Sequence, residues 1–315
     1  MTGGYTVVTT MKNEGAFVLE WVAHYKALGF DHILICTNDC DDHTRRIAFR
    51  LHALGLAVHH PTRVWPSTSI QRSALKQVLR YDIVTKADWV WVCDADEFLV
   101  VKLGDGTVQA LTAAASPEAE VISVPWRIFG SDGQHDYREG PITRQFTRSN
   151  ADQPFAYGKS LFRGSLKVAR IGIHVPLEPE GARPFRREEA GGRPYRAQRH
   201  PMFVAADYQH AQINHYALRS AESFLVKRDR GRVNHVGQDL GLEYWQRFDR
   251  AEIACSAIRR YDAAVDAWTE RLMSDPDLAF LHRKSVNWHR ARIAQLKTRA
   301  DYHALWQTVT ERVKT

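Results

Sequence analysis

Asp94, Asp96 and Glu97 stand within four positions of one another, directly after the apolar run from Trp89 to Cys93 in "WVWVCDADEFLV". Like charges that close repel, and a carboxylate shut away from water without a partner is costly. The cluster therefore requires positive charge beside it. A divalent cation meets that need. Asp94 and Asp96 lie two positions apart where an extended run gives way to a turn, and their hard oxygens suit Mn2+ or Mg2+, ions that keep waters and share their sites with substrate phosphates. A bare D-x-D also recurs by chance, and solvated turn acids are the alternative reading. The element that carries the motif decides its value.

That element is the fourth strand of a series. β-rich runs at 5–10, 31–37, 56–60 and 88–93 alternate with helical patterns at 14–29, 41–55 and 69–87. Phe17, Trp21, Tyr25 and Leu28 recur at helical spacing, and Gly29 and Gly55 stop the first two helices. Such alternation predicts parallel βαβ units. In open sheets of this kind ligands bind beyond the carboxyl ends of the strands, where Thr9, Thr10, Asn38, Asp39, Asp94 and Asp96 would gather. Beyond residue 120 the pattern changes. "EVISVPW" and "KSLFRG" read as strands, and residues 176–201, with six arginines and four glutamates, read as a long loop. A loop of that length and composition is expected to act as a lid over the site, a variable surface insertion being the alternative reading. From about 238 the chain reads as helical, with Ile258, Tyr261, Val265, Trp268 and Leu272 as a core-facing stripe.

Composition bounds the rest. The 315 residues are 44% hydrophobic and 25% charged, ordinary for a soluble globular protein. No apolar run approaches the roughly 18–20 residues of a membrane span, and the N-terminal residues show no signal-peptide pattern, which predicts a cytoplasmic protein. Cys36, Cys40, Cys93 and Cys255 form no C-x-x-C pair and read as reduced thiols. Residues 1–125 hold 11 Lys+Arg and 14 Asp+Glu, whereas residues 126–315 hold 32 and 22. The basic second half is either a solvated face or an attractor of phosphates, on a small ligand or at the inner face of an anionic membrane. Nucleic acid is not expected, since the charges are interspersed with acids and no zinc-finger, RNP or helix-turn-helix signature is present.

Two enzyme classes place D-x-D at a strand end. Haloacid dehalogenase-like phosphatases carry D-x-D-x-[TV] on their first strand, but here Phe98 stands where Thr or Val belongs, and three strands precede the motif. The other class is the nucleotide-sugar glycosyltransferases. "TTMKNEGAFVLEWVAHYKALGFDHILICTNDCDDHT" and "WVWVCDADEFL" resemble the T-x-K-N-E and D-x-D-E-F blocks of bacterial family 2-type glycosyltransferases with a GT-A fold. "WRIFGSDG", "YGKSLFR" and "INHYALRSAESFLVKRDRG" resemble later blocks of that branch. The resemblance implies a mixed, mainly parallel α/β sheet flanked by helices. Residues 1–125 would form the nucleotide-sugar half, 126–235 the acceptor and metal half, and 236–315 a helical C-terminal extension.

The resemblance also implies roles. Thr9, Thr10 and Glu14 would meet the nucleotide, with Asn38 near the base where many members carry Asp. Asp42 fits the last Asp of the same segment or caps the following helix. Gln71 and Arg72 open the third helix as phosphate or base contacts, a solvent-facing Arg being the rival reading for Arg72. Asp94 would serve nucleotide and metal, Asp96 and His215 the metal, and Lys227 and Arg230 the leaving diphosphate. Glu97 is expected at the acceptor, and Trp126, Phe129 and Gly130 would shape an acceptor platform, with core packing the alternative for Trp126 and Phe129. Inversion at the anomeric carbon needs one general base, for which Asp132 is the first candidate and His174 the second. The expected activity is metal-dependent transfer of a sugar from a nucleoside-diphosphate donor to a hydroxyl of a saccharide or glycolipid, with Mn2+ or Mg2+ as cofactor. A binding protein that keeps the fold without turnover is the non-enzyme alternative.

Overall fold

The computed structural model describes residues 3–65, 68–196, 198–231 and 240–311. Strand β1 (Tyr5–Met11), helix α1 (Val18–Ala27), β2 (His32–Thr37), α2 (Thr44–Ala53), β3 (Val58–Pro61), α3 (Ile70–Val78), α4 (Asp82–Thr85) and β4 (Trp89–Val92) follow the expected alternation. The one departure is the third helix, which is split in two. Tyr81 takes an extended backbone at φ −93° and ψ 126° and bonds through its hydroxyl to His60 Nδ1 at 3.0 Å. Ser69 caps α3 by accepting from Arg72 N at 3.3 Å. The four strands are parallel in the order β3-β2-β1-β4. Val8 on β1 faces Val92 on β4, so the residues after Val92 emerge beside Thr9 and Thr10.

The chain continues through β5 (Glu97–Val101), α5 (Val108–Ala113), β6 (Val121–Ile128), α6 (Ile142–Gln145), β7 (Arg148–Ser149), β8 (Phe155–Phe162), β9 (Arg187–Glu189), β10 (Arg193–Pro194), β11 (Phe203–Ala205) and β12 (Ala211–His215). Strand β8 runs antiparallel between β4 and β6, and β12 pairs parallel with β6 and antiparallel with β5. The result is one mixed, eleven-stranded sheet flanked by helices, with β7 outside it. The expected boundary at 125/126 falls inside β6, and the one at 235/236 lies outside the described residues. The stretch 176–201 is not a structureless loop. It contributes β9 and β10 to the sheet edge, and Arg183 pairs with Glu120 at 2.6 Å.

After β12 come α7 (Ala221–Arg230), α8 (Leu242–Phe248), β13 (Ile253–Ala254), a 3-10 turn (Ala257–Tyr261), α9 (Asp262–Met273), α10 (Pro276–Lys297) and α11 (Ala300–Glu311). The stripe behaves as its spacing predicts. Ile258, Tyr261, Val265 and Leu272 are buried, with Trp268 packed beside them, and they join the core under α1. Helices α7, α8, α10 and α11 enclose a second cluster around Phe224, Trp245 and Leu296. No helix among the described residues is long and apolar enough to cross a membrane.

Candidate functional site

The carboxyl ends of β1 and β4 open into a cavity of about 170 Å³. Thr10 lines it from the end of β1, Lys12 and Glu14 from the turn that follows, Asp94 and Asp96 from the turn after β4, and Gln71 from the first turn of α3. Trp126, His174 and His215 close one side, Lys227 and Arg230 of α7 another, with Leu240, Tyr244 and Phe248 beyond. Helical spacing puts Lys227 and Arg230 on one face of α7, and both reach the cavity.

The positive charge that the carboxylates require is built into the chain as two lysines. Lys159, on β8 and without solvent exposure, places Nζ 2.9 Å from Glu97 Oε2 and 3.3 Å from Asp94 Oδ2. Glu97 Oε2 also accepts from Asp94 N at 2.8 Å, and Gln71 Nε2 donates to Asp94 Oδ1 at 2.6 Å. Lys227 donates to Asp96 Oδ2 at 2.6 Å and to Ala217 O at 2.6 Å. His215 Nε2 stands 3.7 Å from Asp96 Oδ1. Behind this pair, Glu14 is held by Arg219 at 2.9 Å and by Arg230, and Arg230 also donates to Lys12 O at 2.9 Å.

These contacts set the protonation states. Burial disfavours the Asp96 charge, but Lys227, His215 and Arg219 outweigh it and hold the carboxyl well below the usual range. Burial pushes Glu97 up to about 8, with Lys159 opposing and Asp94 and Asp96 adding. Burial opposes the Lys159 charge too, yet Asp94 and Glu97 keep its affinity for a proton above the ordinary value. Burial drives His215 down to about 4 against the pull of Asp96. His174 falls to about 4 through burial and then Lys159. Its Nδ1 bonds Gly158 O at 2.8 Å. Because a carbonyl only accepts, Nδ1 donates and Nε2 is left as the acceptor nitrogen.

The expected residues therefore separate. Thr10, Glu14, Asp94, Asp96, Trp126, His174, His215, Lys227 and Arg230 come together at the cavity. Thr9 is buried beside them and Asn38 donates to Thr62 O at 3.3 Å, and neither lines it. Arg72 is exposed away from the cavity, and its neighbour Gln71 takes the inward position, because successive side chains on α3 point about 100° apart. Asp132 lies outside the cavity in a turn at φ 51°, where Thr147 Oγ1 donates to it at 3.3 Å. Glu97 is fully buried beneath the floor and spent on Lys159, so its side chain reaches no acceptor. Asp42 Oδ1 accepts from Thr44 N at 2.8 Å at the start of α2, which is the capping reading. Phe129 is core, and a Cβ on Gly130 would lie 2.6 Å from Arg250 N, so both positions serve packing.

Lys159 and Arg219 carry no expectation from the sequence. The signal for Lys159 is a lone lysine inside "FAYGKSLF", an otherwise apolar or small strand: a cation there must meet a carboxylate. The donor chemistry of Asp94, Asp96 and a neutral His215 suits Mn2+ or Mg2+. In this arrangement, however, Lys227 occupies Asp96, and among the described residues no three His, Cys, Asp or Glu side chains converge closely enough to hold an ion. Among the described residues the side chains as placed do not form a metal cage.

Solved structures similar to the chain include S. aureus TarS 1-349 in complex with UDP, at 12% identity and TM-score 0.34 over 52% of this chain and 47% of that one. Glucosyl-3-phosphoglycerate synthase from Mycobacterium tuberculosis, in complex with Mn2+, UDP and glucosyl-3-phosphoglycerate, is 18% identical with TM-score 0.25 over 45% of this chain and 46% of that one. The mannosyltransferase PcManGT from Pyrobaculum calidifontis, in complex with GDP-Man and Mn2+, is 14% identical with TM-score 0.33 over 99% and 85%. The match spans about half the length of the TarS chain. No curated protein matches the chain. Residues 7–228, well over half of the sequence, match the sequence model of a named transferase family. The resemblance to a family 2-type enzyme thus holds at the level of a glycosyltransferase, and the chain belongs to glycosyltransferase family 92.

Proposed function

We propose that the chain transfers a glycosyl group from a nucleoside-diphosphate sugar to a hydroxyl of a saccharide or glycolipid acceptor, with inversion at the anomeric carbon. The observation that carries this reading is the meeting of Asp94 and Asp96 with Lys227 and Arg230 in one cavity at the carboxyl end of the parallel strands. The donor diphosphate lies against Lys227, Arg230 and Lys12. As the bond from the anomeric carbon to the phosphate oxygen breaks, its electron pair leaves on the nucleoside diphosphate, and those cations stabilise the growing charge. The acceptor hydroxyl attacks the anomeric carbon from the opposite face and gives its proton to His174 Nε2, neutral at physiological pH. Trp126, 9% exposed with its ring 5.3 Å from His174, offers an aromatic surface for the sugar. With Asp132 outside the cavity, His174 is the base this reading adopts.

Incubation of the purified chain with UDP-, GDP-, CDP- and dTDP-sugars and a mixed saccharide and lipid fraction tests it by the mass of the product. His174→Gln should lower kcat by on the order of 10²–10⁴-fold. An unchanged kcat would move the base elsewhere, and no transfer from any donor would contradict the reading. Parallel reactions with Mn2+, with Mg2+ and with a chelator assign the cofactor.

A further inference from the structure

Phe49 on α2 and Phe280 on α10 are the most exposed large apolar side chains among the described residues, at 65% and 50%. They share one open groove of about 870 Å³, closed on a third side by His59 and Pro61 of the sheet-edge strand β3. Helix α2 already buries Thr44, Ile47, Ala48 and Leu51 against the sheet, so packing does not explain Phe49 on the opposite face. None of these residues lines the nucleotide cavity.

The charges around the two rings point to the occupant. Arg50 is committed to Asp275 at 2.6 Å and to Asp277 at 3.4 Å. Arg45 and Arg46 line the same groove with no ion-pair partner among the described residues. Lys284 holds its ammonium 5.5 Å from the Phe280 ring centroid. Exposed aromatic tips surrounded by uncompensated cations are the pattern of a surface that seats at the boundary of an anionic bilayer, where rings enter the acyl edge and cations meet headgroup phosphates. A nucleic acid would use the cations but leave the rings in water. A second copy placed face to face would set Arg45 and Arg46 against their own kind.

We propose that the groove between α2 and α10 docks the chain onto an anionic lipid surface through Phe49 and Phe280, with Arg45, Arg46 and Lys284 as the electrostatic rim. The docking is independent of the transferase reading. It draws on both halves of the chain, with Arg45, Arg46 and Phe49 from the acidic first 125 residues and Phe280 and Lys284 from the basic remainder.

Co-sedimentation of the purified full chain with phosphatidylcholine vesicles and with equal mixtures of phosphatidylcholine and phosphatidylglycerol tests it. Binding should be confined to the anionic vesicles and weaken with salt. Phe49→Ser/Phe280→Ser and Arg45→Glu/Arg46→Glu should each lower the partition coefficient by about tenfold or more, with the thermal midpoint and nucleotide affinity of wild type. The charge-reversal pair keeps both rings, so it stands as a test even where the serine pair folds poorly. No sedimentation with anionic vesicles overturns the proposal, as does wild-type partition by both variants. A dimer in analytical ultracentrifugation that the serine pair dissolves, without vesicle binding, overturns it in favour of self-association.

Discussion

At the scale of single residues, Lys159 shows what sequence spacing conveys and what it hides. Asp94 and Asp96 were legible because their types, separation and strand-end position are local properties. The cations that answer them, Lys159 on β8 and Lys227 on α7, are distant in sequence, and no local pattern pairs them with the acids. Glu97 reads as an acceptor residue in the sequence for the same reason: the turn after β4 decides which way β5 starts, and it starts with Glu97 buried. Removing the carboxylate of Asp96 strands Lys227 without its carboxylate partner. Above about pH 8, where Glu97 is ionised, Lys159→Met should destabilise the fold by about 3–5 kcal/mol, since it leaves a buried carboxylate uncompensated. Adding Glu97→Gln should recover part of that loss in denaturant titrations, and strictly additive losses would show that the pair does not interact. The pH dependence has a definite sign. The folded chain keeps a proton on Glu97 up to about 8, which the unfolded chain gives up near 4.5. Stability from this group is complete below that lower value and is lost as pH rises through the upper one. Glu97→Gln should flatten this alkaline limb, and an unchanged slope would contradict the assignment.

At the scale of elements, the parallel half was readable from periodicity, because each strand and helix buries a face its own sequence marks. The insertion of β8 between β4 and β6 was not, since antiparallel pairing across the sheet leaves no mark within either strand. The stretch 176–201 was read as loop because β9 and β10 are three and two residues long, too short for alternation to register. Gly158 gives β8 a test. A Cβ there would lie 2.4 Å from Val124 O on β6 and 2.7 Å from Val204 Cγ2 on β11. Gly158→Ala should cost about 1–3 kcal/mol through overpacking and lower kcat as well, because Gly158 O fixes His174. Gly241→Ala, whose Cβ meets nothing within 4 Å, is the control. A Gly158→Ala chain as stable as that control would place the strands further apart than described.

At the scale of the whole molecule, the core holds histidines in their neutral form. His24, bonded to Leu99 O at 2.8 Å, is lowered by burial to about 4, and His289, against Ser223 Oγ at 3.1 Å, to about 3. The unfolded chain binds protons at these positions near pH 6.5 and the folded chain does not, so stability is lost as pH falls from 6.5 toward 4. The thermal midpoint should drop across that window, and His289→Gln should soften the drop; a midpoint constant down to pH 5 would contradict it. The central claim is that the cavity holds a nucleoside diphosphate by its phosphates. Calorimetric titration of UDP, GDP, CDP and dTDP and their nucleosides, with and without Mn2+, tests it on wild type and on Lys227→Met/Arg230→Met. At least one diphosphate should bind wild type, and the folded double variant should lose on the order of tenfold or more for it, each charge-assisted bond being worth about 1.5–3 kcal/mol, while nucleoside affinity stays the same. Equal losses for nucleoside and diphosphate, or no diphosphate bound by wild type, would contradict the account.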